Sequence, residues 1–80
     1  DRAYTYRFEE VALAVSSRLA GRAVSQLTDG GGRLPAVVAV KEGASGRYSI
    51  NPDPGQKLAA GDVLVVLGST EEIARLKAAA

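Results

Sequence analysis

The sequence feature that most constrains this chain is a run of five apolar residues, Val63 to Leu67, which lies between Gly61-Asp62 and Gly68. A short run that is apolar at every position and rich in β-branched residues is typical of a strand buried on both faces. We therefore expect a central strand here. Gly61-Asp62 predicts a tight turn before the strand, with the Asp62 carboxylate capping nearby backbone amides. Gly68 is expected to end the strand.

Composition indicates one small domain that has a partner. The chain has 80 residues, of which 46% are hydrophobic and 24% are charged. Because so short a chain has room for only a modest core, the apolar surplus indicates surface that another protein covers, and we expect a homodimer. The 10 basic and 9 acidic residues are spread along the chain and predict no nucleic-acid-binding face. No apolar run approaches the roughly 20 residues that cross a bilayer.

Two residue types that often carry out catalysis are missing from the sequence. It contains no cysteine and no histidine, so thiol nucleophiles, the usual zinc ligands and the commonest general base are excluded. Glu9 and Glu10 are adjacent acids, but neighbours on a strand point to opposite faces, and we interpret both as solvated charges. We therefore expect no enzyme, no metal site and no cofactor.

The rest of the chain is divided by residue periodicity and turn signals. Large and small apolar residues alternate over the first predicted strand, and Pro35 can open the second. The polar loop 41–47 has a length suited to a hairpin, and Asn51-Pro52-Asp53-Pro54-Gly55 is dense in turn residues. The expected elements are strand Phe8 to Val15, a short helix Ala23 to Leu27, strand Ala36 to Val40, strand Tyr48 to Ile50 and the strand at Val63 to Leu67.

A C-terminal helix is predicted after Gly68. Ser69 and Glu72 have the spacing of a capping box, in which each side chain bonds the other residue's backbone amide. Ile73 and Leu76 form the expected buried stripe. The predicted fold is therefore α+β, in the order β-α-β-β-β-α, with a small sheet of about four strands.

Gly30-Gly31-Gly32, followed by Arg33, has two interpretations. Glycine amides can line an anion that an arginine pairs with, which would make this a phosphate site. A phosphate-binding loop of the Walker type needs a Lys-Ser/Thr pair that opens a helix, whereas Arg33-Leu34-Pro35 opens a strand here. A flexible loop is the alternative.

Several segments together resemble a TrkA-C domain, the C-terminal lobe of the RCK modules that regulate potassium conductance. The resemblance covers residues 8–80 and leaves 1–7 as a linker or the end of an upstream element. The segments that carry it are Leu19-Ala20-Gly21-Arg22-Ala23-Val24-Ser25-Gln26-Leu27, Val37 to Val40, Pro52-Asp53-Pro54, and Leu58 with Gly61 to Gly68.

The resemblance implies a dimerising α+β domain at the cytoplasmic face of a membrane, attached to or associated with a potassium channel, a potassium uptake system or a cation/proton antiporter. Several family members bind cyclic di-adenosine monophosphate between two lobes, using an Asp, an Arg and an Asn. Those positions correspond here to Thr28, Gly30 and Ala36, so the polar and charged groups of the family pattern are replaced. The remaining candidate ligand contacts are Arg33, Val37, Pro52 and Pro54.

Two functions remain open at this point. The first is a regulatory domain that senses a small ligand, dimerises and controls a potassium channel or cation transporter. The second is a purely structural dimerisation module of a cation/proton antiporter subunit, without a small-molecule ligand.

Overall fold

The computed structural model of the chain describes residues 5–27 and 34–80. They form a four-stranded antiparallel sheet in the order β1-β4-β2-β3, with one α-helix packed on one face. The predicted α+β class, the strand number and the C-terminal helix are confirmed. The elements are β1 Tyr6–Ala12, a 3-10 turn Val24–Gln26, β2 Ala36–Lys41, β3 Tyr48–Ile50, β4 Val63–Ser69 and α1 Thr70–Ala79.

Strand β4 is the centre of the sheet, as the apolar run predicted. It pairs with β1 on one side and with β2 on the other. Leu64 and Val66 point toward α1 and are fully buried, whereas Val63 and Val65 are half-buried and Leu67 is 37% exposed. The prediction of burial on both faces is therefore wrong, because α1 covers only one of them.

The end of β4 also differs from the prediction. The strand continues through Gly68 to Ser69. A Cβ atom at Gly68 would lie 2.5 Å from the Cβ of Pro35. Glycine is therefore needed here because a neighbouring chain segment comes close, and not because the strand stops.

The first strand is shifted from its predicted bounds. It begins at Tyr6 and ends at Ala12, three residues before Val15, which is 90% exposed. Leu13 leaves the sheet but stays buried, and its backbone N–H donates to the Asp62 carbonyl oxygen at 2.9 Å. Apolar alternation thus continued past the true strand end.

The helix predicted at Ala23 to Leu27 is wrong, since the described chain forms only a three-residue 3-10 turn there. The backbone N–H groups of Val24 and Ser25 donate to the carbonyl oxygens of Gln56 and Pro54, at 2.8 and 2.9 Å. These donors are used by a neighbouring segment and not by successive helical turns. Tertiary pairing therefore overrides the local helix signal.

Helix α1 begins as the capping box predicted. Glu72 N–H donates to the Ser69 hydroxyl at 3.1 Å, and Ser69 N–H donates to the Glu72 carboxylate at 2.9 Å. Ile73 and Leu76 are 1% exposed, as expected. The main core consists of Val11, Leu13, Leu19, Leu27, Val40, Leu58, Leu64, Val66, Ile73, Leu76 and Ala79.

Candidate functional site

An open cleft lies where β1 begins, β2 begins and β4 passes into α1. Its volume is about 670 Å³, within the roughly 300–1,000 Å³ that small-molecule sites occupy. The cleft is lined by Tyr6, Leu34, Ala36, Leu67, Gly68, Ser69 and Glu72.

The walls of the cleft are set by the capping box and by a close contact between two segments. Ser69 and Glu72 bond each other's backbone, so both side chains already have partners within the fold. Pro35 approaches Gly68 closely enough to exclude a side chain at that position. No lysine or arginine is among the described residues that line the cleft. It therefore offers an apolar wall beside a helix start that already carries two acids, Glu71 and Glu72.

The structure places Val37, a predicted ligand contact, and Ala36, which stands where the family pattern has an asparagine, on opposite faces of the sheet. Ala36 is exposed, lines the cleft and pairs with Leu67. Val37 pairs with Val66 and packs, half-buried, against the core. The methyl group of Ala36 is thus directly accessible to a ligand in the cleft, while Val37 supports it from behind.

The two predicted prolines follow β3 in a turn that joins two segments. Asn51 N–H donates to the Val38 carbonyl oxygen at 2.7 Å, and the Pro54 carbonyl oxygen accepts from Ser25 N–H at 2.9 Å. Pro52 is half-buried and Pro54 is exposed. The turn therefore lies beside β2 and the 3-10 turn. Arg33, Thr28 and Gly30 lie outside the described residues.

The Asp62 carboxylate has a structural role, as the sequence predicted. One oxygen accepts from Ala59 N–H at 2.9 Å, which caps the turn before β4, and the other accepts from Gly43 N–H at 3.0 Å. Gly61 in this turn has φ +90°, a value that favours glycine. Asp62 is 6% exposed and both its oxygens are used, so it is not a binding group of the cleft.

Glu9 was interpreted as a solvated charge, but it joins β1 to α1. Its carboxylate pairs with Lys77 and with Arg7, whose Nε lies 3.1 Å away. The hydrogen bond from Lys77 is the main cause of a lowered pKa at Glu9. This shift follows from an ion pair on the helix side of the sheet, so it does not mark a catalytic acid.

Sequence reasoning missed the cleft, and it expected exposed apolar surface without locating that surface on one face of the sheet. Phe8 and Tyr6 are each 64% exposed, Ile50 is 70% exposed and Tyr48 is 53% exposed. The sequence did contain a signal for this apolar face. Tyr6 and Phe8 are two residues apart, as are Tyr48 and Ile50, and residues two apart on a strand point to the same face. Within 5–27 and 34–80, no group of three or more acidic residues could hold a metal ion, and no helix is long and apolar enough to cross a membrane.

Comparison with known proteins identifies the family. No curated protein sequence matches the chain. Among solved structures, the RCK_C domain dimer of S. agalactiae BusR in complex with c-di-AMP matches with a TM-score of 0.75. The two are 21% identical, and the match covers 89% of this chain and 91% of that one, so the likeness shows a shared fold. The family model of the TrkA-C domain matches residues 8–80, and the chain therefore belongs to the TrkA-C domain family.

Proposed function

We propose that this domain is a non-enzymatic regulatory module that dimerises, senses a small ligand and passes the signal to a potassium channel or cation transporter at the cytoplasmic face of a membrane. Binding would favour one dimer geometry over another, and that difference in free energy would bias the transporter. The observation that carries the proposal is the fold shared with a domain dimer in complex with c-di-AMP.

The cleft supports a ligand with flat apolar surface, and a cyclic dinucleotide is the first candidate. Its bases would contact the apolar wall that contains Leu34, Ala36 and Leu67. Val37, Pro52 and Pro54 would support the neighbouring surface, and Arg33 would supply the charge for a phosphate. Because Ala36 replaces the asparagine that the family resemblance implies, we expect weaker binding than in members that have this asparagine.

A specific observation also favours the second function, a structural dimerisation module without a ligand. The described lining of the cleft contains no cationic side chain, and the polar groups of Ser69 and Glu72 are used by the capping box. An anionic ligand would therefore depend on residues outside the described ranges.

Calorimetry with cyclic di-adenosine monophosphate separates the two functions. The wild-type chain and an Ala36→Asn variant are titrated side by side, with Ala60→Asn at an exposed site outside the cleft as the control. One added hydrogen bond should tighten binding by about 5-fold in Ala36→Asn and leave Ala60→Asn unchanged. No heat from any of the three proteins at millimolar ligand would favour the structural module.

A further inference from the structure

The two edges of the sheet differ in their protection against pairing with another strand. Natural proteins protect a sheet edge with a short strand, a bulge or a proline. All three occur at the β3 edge, since β3 spans only Tyr48–Ile50, its neighbour β2 is irregular between Val37 and Ala39, and Pro52 follows. Strand β1, at the other edge, has none of them. It spans Tyr6–Ala12, contains no proline and pairs with β4 without a register shift.

The backbone groups at the unprotected edge of β1 can be identified from the register. Hydrogen-bonded and non-hydrogen-bonded positions alternate along an antiparallel pair. Leu13 N–H donates to the Asp62 carbonyl oxygen in continuation of the β1–β4 register, so the odd-numbered residues of β1 bond to β4. The backbone N–H and C=O groups of Phe8, Glu10 and Ala12 therefore point away from β4, and we call them the outer edge of β1. Within 5–27 and 34–80, no backbone group of another segment bonds to them from that side.

The side chains along the outer edge of β1 are an aromatic ring and an acid. Because Val11 is buried in the core, the side chains of Phe8 and Glu10 lie on the opposite face of the sheet, where both are exposed. The Glu9 carboxylate, on the helix side, already pairs with Arg7 and Lys77. Glu10 has no ion-pair partner among the residues that the structure describes. A strand added beside β1 would therefore meet one apolar ring and, two residues further on, one unpaired carboxylate.

We propose that the outer edge of β1 binds an extended segment of a partner protein, which adds a fifth strand to the sheet and places a lysine or arginine opposite Glu10. The added strand is antiparallel to β1, like every other pair in the sheet, and has an apolar residue opposite Phe8. In strand addition of this kind, main-chain hydrogen bonds provide affinity and alternate side chains provide specificity. This inference goes beyond the proposed function, because it requires neither a small ligand nor a second copy of the domain.

The charge of Glu10 determines which segments fit. Opposite charges on directly opposed residues of neighbouring strands stabilise the pair, whereas like charges destabilise it. An acidic strand is therefore rejected, and a basic residue at this position pairs with the carboxylate. A short segment loses conformational freedom when it binds, so we expect a dissociation constant of about 0.1–1 mM for a seven-residue peptide.

Amide hydrogen exchange, measured by NMR on the 80-residue chain, tests the outer edge residue by residue. In the free chain, the amides of Glu9 and Val11 should exchange slowly and those of Phe8, Glu10 and Ala12 fast. The probe is the capped peptide YTKTITV, whose lysine faces Glu10 and whose isoleucine faces Phe8 in antiparallel pairing. At about 2 mM it should slow exchange of the three edge amides by about 3-fold or more. A control peptide with glutamate in place of the lysine should have little effect.

Charge reversal tests the role of Glu10, with circular dichroism to verify that each variant is folded. In Glu10→Lys the preference should reverse, so that the glutamate peptide protects the amides of Phe8 and Ala12 and the lysine peptide does not. Asp53→Lys, at an exposed position after β3 and thus at the other side of the sheet, makes the same change in net charge. It should keep the wild-type preference.

Each contrary result overturns a stated part of the proposal. Unchanged exchange of the edge amides with the lysine peptide would show that the outer edge of β1 does not accept a strand. Equal protection by both peptides, or a Glu10→Lys variant that keeps the wild-type preference, would overturn the selectivity for a basic segment. Slow exchange of Phe8, Glu10 and Ala12 already in the free chain would show that the edge is covered, by a second copy if dilution restores fast exchange. None of these results depends on whether a cyclic dinucleotide binds.

Discussion

The carboxylate of Asp62 accepts a hydrogen bond from the backbone N–H of Gly43, 19 residues earlier in the chain, at 3.0 Å. This bond joins the β2–β3 loop to the turn that starts the central strand. A Cβ atom at Gly43 would lie 2.4 Å from the Gly61 carbonyl oxygen, so the two loops are in direct contact. The buried carboxylate of Asp62 and the lack of a side chain at Gly43 therefore fix the position of the β2–β3 hairpin relative to the central strand.

Removal of the Asp62 carboxylate should destabilise the domain. Asp62→Ala leaves the N–H groups of Gly43 and Ala59 without their acceptor, and we expect a loss of about 2–3 kcal/mol in the free energy of unfolding. Urea denaturation followed by circular dichroism measures it. Asp53→Ala, at an exposed position, is the control and should stay within about 0.5 kcal/mol of wild type. Equal stability of the two variants would contradict the structural role of Asp62.

A methyl group at Gly43 should separate the two loops. Gly43→Ala has no room, because its Cβ would meet the Gly61 backbone, and we expect destabilisation of about 1–3 kcal/mol. Gly55→Ala is the matched control, since nothing lies within 4 Å of its Cβ. That change should be neutral or slightly stabilising because it restricts the unfolded chain. Thermal denaturation should therefore give a lower melting temperature for Gly43→Ala than for Gly55→Ala. A higher melting temperature for Gly43→Ala would refute the prediction.

The capping box should contribute measurably to helix α1. Ser69→Ala removes the acceptor of Glu72 N–H and should cost about 1 kcal/mol. Thr70→Ala, at the next and exposed position, keeps the box intact and should have little effect. Chemical denaturation gives both values. Because Ser69 lines the cleft, the same pair of variants also shows whether ligand binding depends on this helix start.

The Glu9–Lys77 ion pair should make the free energy of unfolding decrease as the pH is lowered. The pKa of Glu9 is lowered from 4.5, mainly by its hydrogen bond with Lys77. Because the pKa of Glu9 is lower in the folded state than in the unfolded state, its ionised carboxylate stabilises the fold fully at pH values above the unfolded-state pKa. This stabilisation is lost as the pH falls through the folded-state pKa. Wild type should therefore lose more stability than Glu9→Gln between pH 6 and pH 2. An NMR titration in which Lys77→Met leaves the pKa of Glu9 unchanged would contradict this cause.

Much of the framework is readable from the sequence because its signals are local. The Gly61-Asp62 turn, the apolar run of β4 and the capping box each depend on residues within a few positions of one another. The 3-10 turn was not predictable, since the acceptors of Val24 and Ser25 lie on the distant segment that contains Pro54 and Gln56.

The candidate site was less accessible from the sequence for the same reason. The cleft combines Tyr6, Leu34 and Ser69, which are far apart in the chain and share no motif. Val37 and the two prolines were named from a family resemblance. The structure places Val37 in β2 and the two prolines in the turn that follows β3, while their contact with a ligand stays a prediction.

The position of β4 has a consequence for how the protein is made. β4 is the last strand in the sequence but lies in the interior of the sheet. It pairs with β1, although the residues between Ala12 and Val63 separate the two strands along the chain. While a ribosome has released only the earlier residues, β2 and β3 can form their hairpin, but β1 still lacks the strand that it pairs with. Assembly of the sheet during translation must therefore wait for Val63–Ser69, and β1, which precedes it in the chain, lacks its neighbouring strand until then.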